Sequence, residues 1–169
     1  MVDRWVCNAS PLILLQRIGY LRLLTDLCDD LVIPKGVIDE IFHHKEEIQK
    51  WENFLSSPKI KLLKNNINIE PPIFGWDLGI GESEVLSWAK TNIGYEAVLD
   101  DLSARKCARV LNIPLRGTVG IILLAKKRKH ILKASPIIEL LIKAGLRFDN
   151  NWIDEALKLV GENISNIEF

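Results

Sequence analysis

The chain has 169 residues, 48% of them hydrophobic and 26% charged, with 22 Lys and Arg against 22 Asp and Glu. That length fits one domain with its own core, and that composition excludes a wholly disordered chain. The zero net charge removes the basic surplus with which nucleic-acid binders usually neutralise phosphate, so any such role has to rest on a local patch.

Arg4 to Cys7 reads as a short strand ending in Asn8-Ala9-Ser10-Pro11, where Asn or Ser can cap a helix and Pro suits its first turn. From Pro11 to Leu24, leucines and isoleucines recur at helical spacing, and Gly19-Tyr20 divides the stretch into two short helices. Leu31-Val32-Ile33 is a second buried strand, stopped by Pro34, near which a helix with Val37, Ile38 and Ile41 begins. A polar stretch, His43 to Gln49, leads to another helical face at Trp51, Phe54 and Leu55. Ile60 to Leu63 fits a short strand, and Asn65 to Pro72 is the most loop-like segment.

Gly79-Ile80-Gly81 opens a strong helix whose first turn is expected to hold Glu82 and Glu84. Ala97-Val98-Leu99 is the next strand, passing through Asp100-Asp101 into a helix with Ala104, Ala108 and Leu111. A further short strand is expected at Ile113-Pro114-Leu115, and Gly117-Thr118 introduces an apolar helix over Ile121 to Ala125. Two terminal helices follow, at about 135–160, packed on the rest through Trp152, Leu157 and Val160. Alternating strands and helices predict a three-layer α/β/α domain spanning 1–169, with a central, mostly parallel twisted sheet of about four to five strands.

Cys7, Cys28 and Cys107 are odd in number, widely spaced and without a CxxC pair, which argues against disulfides and structural zinc. The start MVDRWVC lacks the pattern of a signal peptide, and no apolar run approaches the roughly 18 residues of a membrane span. The reading is a cytoplasmic protein with no membrane partner. Lys126-Lys127-Arg128-Lys129 is the candidate nucleic-acid patch, and equally suits the solvated end of a helix, where cations meet the negative pole.

Sites in open α/β sheets form outside the carboxyl ends of the strands. Asn8 and Ser10 follow the first strand, Glu82 and Glu84 head a helix, Asp100 and Asp101 follow a later strand, and Thr118 heads the next helix. Glu40 lies within a helix, where neither a cap nor a helix start explains it. Singly, each acid also suits helix capping or the helix dipole. If these oxygens meet, their repulsion needs a cation, and Mg²⁺ or Mn²⁺ prefers oxygen ligands. No GxSxG motif is present, and His43, His44 and His130 have no evident partner for nucleophilic chemistry.

At these residues the chain resembles the PIN-domain family, most closely the branch related to VapC toxins. The matching phrases are NASPLILLQRIGYLRLL, IPKGVIDEI, LGIGESEVLSWA, VLDDLSARKCARVLNIPLRGTVGIILLAKK and IIELLIKAGLRFDNNWIDEALKLVGE, in order over nearly the whole chain. The resemblance implies a metal-dependent nuclease of the toxin-antitoxin type: a hydrolase of RNA phosphodiesters in which Mg²⁺ or Mn²⁺ activates water. By position it makes Glu40, Glu82 and Asp100 the catalytic acids, with Glu84 and Asp101 as alternatives to the latter two, and Ser10 and Thr118 as supporting positions. Asn8, Glu40 and Asp100 become the metal-binding residues. The departure is Asn8, where the family usually places Asp: an amide offers a carbonyl oxygen to a metal and no charge.

The implied partners are RNA, a small antitoxin-like protein and a second copy of the chain. The alternative is a degenerate PIN module that binds RNA or a protein without cutting. A phosphotransfer enzyme with an Asp nucleophile after the first strand fits less well, since Asn8 occupies that position.

Overall fold

The computed structural model describes residues 2–43, 48–147 and 150–163, without the side chains of Ile48, Asn150 and Asn151. His44 lies outside these residues. Five strands are formed: β1 (Arg4–Cys7), β2 (Asp30–Ile33), β3 (Ile60–Leu62), β4 (Tyr95–Val98) and β5 (Leu115–Arg116). They make one sheet of order β3-β2-β1-β4-β5, and every pairing is parallel. Parallel strands need crossovers, and the helices that supply them cover both faces in a three-layer α/β/α arrangement. That burial explains why the central strands read as unbroken apolar runs: Trp5 to Cys7, Leu31 to Ile33 and Ala97 to Leu99 are all buried. The edge strands β3 and β5 are short and partly exposed, which limits edge-to-edge pairing.

The expected strand at Ile113–Leu115 is displaced. Pro114 has no N–H to give the ladder; its carbonyl accepts from Ala97, and pairing begins at Leu115. The helices follow the sequence pattern closely. α1 (Ala9–Arg17) and α2 (Leu23–Leu27) lie on either side of the Gly19 break, α3 (Lys35–His43) follows Pro34, and α4 (Ile48–Leu55) carries Trp51 and Phe54 inward. α5 (Pro71–Phe74) is a short turn before α6 (Ile80–Thr91); α7 (Leu102–Val110) and α8 (Thr118–Lys127) follow β4 and β5.

The terminal helices α9 (Ser135–Lys143) and α10 (Asn150–Lys158) pack on the domain, with one correction to the expected contacts. Trp152 is 44% exposed and Val160 only partly buried, while Ile153, Ala156 and Leu157 carry the buried face. These three fall at i, i+3 and i+4, a helical stripe that excludes Trp152. Glu162 closes the end: its carboxylate accepts from the Ala134 and Ser135 amides at 2.9 Å each and pairs with Lys126 at 3.6 Å.

All three cysteines are free and buried, and burial pushes their thiols up, Cys28 to about 12. Among the described residues no helix is long and apolar enough to cross a membrane.

Candidate functional site

The order β3-β2-β1-β4-β5 reverses direction at β1 and β4, and the region outside their carboxyl ends is where open α/β sheets place their sites. Asn8 stands there. Its amide extends the ladder by donating to the Val98 carbonyl (3.1 Å), and its side chain, 5% exposed, heads α1 without capping it. Asn8 Oδ1 is buried and has no hydrogen-bond partner. A buried, unpaired acceptor costs about 1–3 kcal/mol and calls for a reason.

Glu40 reaches the same place from α3. A Cβ built on Gly81 would meet Asn8 Oδ1 at 3.1 Å, Val37 Cγ2 at 3.2 Å and Glu40 Oε2 at 3.5 Å. Only a glycine at the mouth of α6 leaves that space to the two oxygens. Glu82, one residue on, closes a capping box: its carboxylate accepts from the Gly79 amide at 3.1 Å. Burial pushes its carboxyl up, against the Gly79 hydrogen bond, and the charges of Asp101 and Glu40 add to the rise.

Asp100 is held from β5's side of the crevice. Its Oδ1 accepts from the Thr118 amide at 2.8 Å and its Oδ2 from the Thr118 hydroxyl at 2.5 Å. Burial raises its pKa, opposed by both Thr118 hydrogen bonds and by the positive charge of Arg105. Asp101 is the N-cap of α7, accepting from the Ala104 amide at 2.8 Å. Ser10, the second residue of α1, is partly buried.

Glu84 is placed elsewhere. It lies on the second turn of α6, not the first, and is fully buried. Its oxygens accept from the Gly36 amide (2.7 Å), Asn66 Nδ2 (2.8 Å) and the Ile67 amide (3.1 Å), so it ties α3, α6 and the 64–69 loop together. The basic run is also remote. Asp100 meets α8 at its first residue, whereas Lys126 to Lys129 lie at its other end, roughly 14 Å along the axis at about 1.5 Å per residue. Two of the four cations are engaged in packing: Lys126 with Glu162 and the Leu132 carbonyl, Arg128 with Asp3 (2.6 Å) and the Leu27 carbonyl (2.9 Å).

Residues absent from the sequence candidates also shape the site: Gly81, Gly117 and Arg105. A Cβ on Gly117 would meet Arg105 Nη1 at 2.7 Å and Asp100 Oδ1 at 3.2 Å. Their signal in sequence is a glycine at the mouth of a helix that follows a strand or loop, and an Arg one turn beyond a capping Asp.

Among the described residues no group of three or more His, Cys, Asp or Glu side chains is assembled closely enough to hold a metal ion outright. The donor set nevertheless fits a hard, oxygen-seeking cation: the unpartnered Asn8 carbonyl oxygen and a Glu40 carboxylate oxygen share the space over Gly81.

A fully parallel α/β sheet with an oxygen-lined crevice at its switch point is the class that fold and site define. The chain matches the family model of the PIN domain over residues 4–162, nearly its full length, and it belongs to the PIN-domain family. This is a nuclease-type fold, and PIN domains generally use divalent metals. No curated protein matches the chain.

Proposed function

We propose that the chain is a ribonuclease of the PIN/VapC-toxin type that depends on Mg²⁺ or Mn²⁺ and cleaves RNA phosphodiesters. The observation that carries this reading is the buried Asn8 Oδ1, unpartnered and beside Glu40 over Gly81. A costly orphan acceptor among carboxylates is accounted for if a cation completes it.

In this reading Asn8, Glu40 and Asp100 would hold the ion, with Asp100 fixed by two hydrogen bonds from Thr118. The ion, when bound, acidifies water and offsets the charge that grows on the phosphodiester. Glu82 takes the proton: its carboxyl is raised by burial and by the neighbouring acids, which moves it toward the operating range of a general base. Asp101 caps α7 and adds to the field that raises Glu82. RNA is the substrate in a cytoplasmic setting, a small antitoxin-like partner inhibits the enzyme by occupying the acidic groove, and Leu140, Trp152 and Leu159, all exposed on or beside the terminal helices, form a homodimer face.

A second reading is a PIN module that binds RNA or protein with little cleavage. The neutral amide at Asn8 favours it, since one ligand contributes no charge and the carboxylates do not close into a set of three. Single-turnover cleavage of single-stranded RNA across a Mn²⁺ titration separates the two. Asn8→Asp is expected to raise cleavage, and Asp100→Asn in that background to abolish it, with folding checked by circular dichroism. An Asn8→Asp protein that binds Mn²⁺ and RNA yet leaves the RNA intact would decide for the binding module.

A further inference from the structure

An acidic crevice repels the polyanion it is meant to process, so a nuclease of this kind needs a cation beside its acids that is not already spent on them. The cations near the carboxyl edge of the sheet differ in this respect. Lys35, at the start of α3, is paired with Asp39 at 2.5 Å, and Arg116, at the end of β5, is paired with Glu96 at 3.0 Å. The basic run lies at the far end of α8. Arg105 is different. Its Nη1 donates to the Leu99 carbonyl at 3.0 Å, which anchors the guanidinium at the end of β4, one residue before Asp100. Among the described residues this is its one hydrogen bond, and although its charge is felt by Asp100 no carboxylate lies within ion-pair distance of it, so most of its five N–H donors are uncommitted.

The guanidinium sits over Gly117. Nη1 lies 2.7 Å and Cζ 3.6 Å from the point a Cβ there would occupy, and Asp100 Oδ1 lies 3.2 Å from the same point. Glycine at the mouth of α8 therefore makes room for a planar cation alongside the site carboxylate, and Arg105 is only half-buried. A guanidinium anchored by one N–H, with a free fork of donors, has the geometry that takes a phosphate oxygen pair.

We infer that Arg105 is the phosphate-binding residue of this crevice, taking the non-bridging oxygens of an RNA phosphodiester beside Asp100, with Gly117 kept bare to admit its guanidinium. The inference rests on the nuclease reading for its substrate, but concerns binding and not cleavage.

The test is the salt dependence of binding. Fluorescein-labelled single-stranded RNA is titrated with the full chain in Ca²⁺, over a KCl series, with the RNA checked on a gel as intact. Losing one phosphate contact should weaken binding about tenfold and flatten the slope of log K against log salt by about 0.7. Arg105→Gln is expected to do both, while Arg105→Lys keeps the slope and loses part of the affinity. Gly117→Ala, which displaces the guanidinium without removing it, should flatten the slope in the same way, and it carries the test if Arg105→Gln does not fold. A purely structural Arg105 would change the melting temperature and leave the slope alone. Wild-type binding with unchanged slopes in Arg105→Gln and Gly117→Ala overturns the inference. Failure of the wild type to bind RNA at all overturns the nuclease reading, and the inference falls with it.

Discussion

Glu82 and Glu84 stand two residues apart on α6, and their carboxylates leave the helix on opposite sides: Glu82 turns back to the Gly79 amide and the field of Glu40 and Asp101, Glu84 to Gly36, Asn66 and Ile67. At about 100° per residue, two steps carry a side chain to the far face of a helix. One helix thus supplies a crevice acid and an internal strut.

The strut makes the first prediction. Glu84→Ala removes the acceptor from three donors, the partly buried Gly36 and Ile67 amides and the side-chain amide of exposed Asn66, which can turn to water; each of the two amides left unmade costs about 1–3 kcal/mol. A loss of about 2 kcal/mol is expected in urea denaturation, with Glu84→Gln losing less because it keeps one acceptor oxygen. An unchanged midpoint for Glu84→Ala would show that the loop and α3 are held by other means.

Glu82 should behave in the opposite sense. Its folded carboxyl is raised, first by burial and then by Asp101 and Glu40, against the Gly79 hydrogen bond. A raised acid binds its proton more tightly in the folded state, so its stabilising contribution is present below the ordinary carboxylate range and is lost as pH rises through the folded value. Glu82→Gln, which still accepts from Gly79, is expected to gain a few tenths of a kcal/mol at pH 7, a size set by solvent screening of a half-exposed group. The gain should vanish in melts recorded in acid. A Glu82→Gln protein less stable than wild type at pH 7 would mean that the capping box outweighs the repulsion.

Asn8→Asp makes a claim about stability that is separate from turnover. The side chain is buried beside Glu40 with no donor to its Oδ1, so a carboxylate there is an uncompensated charge. In EDTA the variant should melt below the wild type by an amount on the order of 2 kcal/mol. Mn²⁺ should close that gap, since the added charge binds the ion more tightly than the wild-type amide does. At a concentration a hundredfold over the variant's Kd, an ion that binds only the folded state stabilises by about 2.7 kcal/mol, more than it gives the weaker-binding wild type. A deficit that persists in Mn²⁺ would remove the cation from the site.

At the other end of the chain, Glu162 fastens the last helix. Burial alone would raise its carboxyl, but the Ser135 and Ala134 amides and the Lys126 charge outweigh this and hold it below the usual range. A depressed acid stabilises above its unfolded pKa and loses that contribution as pH falls through the folded value. Glu162→Ala is expected to cost about 1 kcal/mol, as for a lost helix cap, and to speed amide exchange across Ile153 to Lys158 selectively; acid should do the same to the wild type. Uniform exchange in the variant would place the fastening elsewhere, at Ile153 and Leu157.

The fold was legible where residues speak through local rules. Leu31 to Ile33 between polar flanks, Gly19 between two apolar helical stretches and Pro34 before α3 each mark an element that forms. Pro114 shifted β5 because a missing N–H acts on the ladder, which is visible only once Ala97 is known to be its neighbour. Trp152 read as a core residue by its spacing from Leu157 and Val160, yet the buried stripe runs through Ile153, and which of two adjacent apolar residues faces inward is decided by where α10 docks. Glu82 and Asp100 stood out by their place at a helix start and after a strand, and Glu40 by its place inside a helix. Sorting Glu82 from Glu84 needed the helix phase, and Arg105 stayed hidden because its meaning comes from Gly117, twelve residues away in sequence and adjacent in space.

The three sealed cysteines give the molecule a set of built-in reporters. Cys7 is on the central strand, Cys28 at the approach to its neighbour, and Cys107 on the helix that follows Asp100. None presents a thiolate to solvent in the native state, since reactivity toward alkylating reagents follows the ionised, accessible form. Labelling of the untouched protein must therefore wait for local or global opening, and the order in which the three positions react would rank how readily each part of the sheet and its covering layer comes apart.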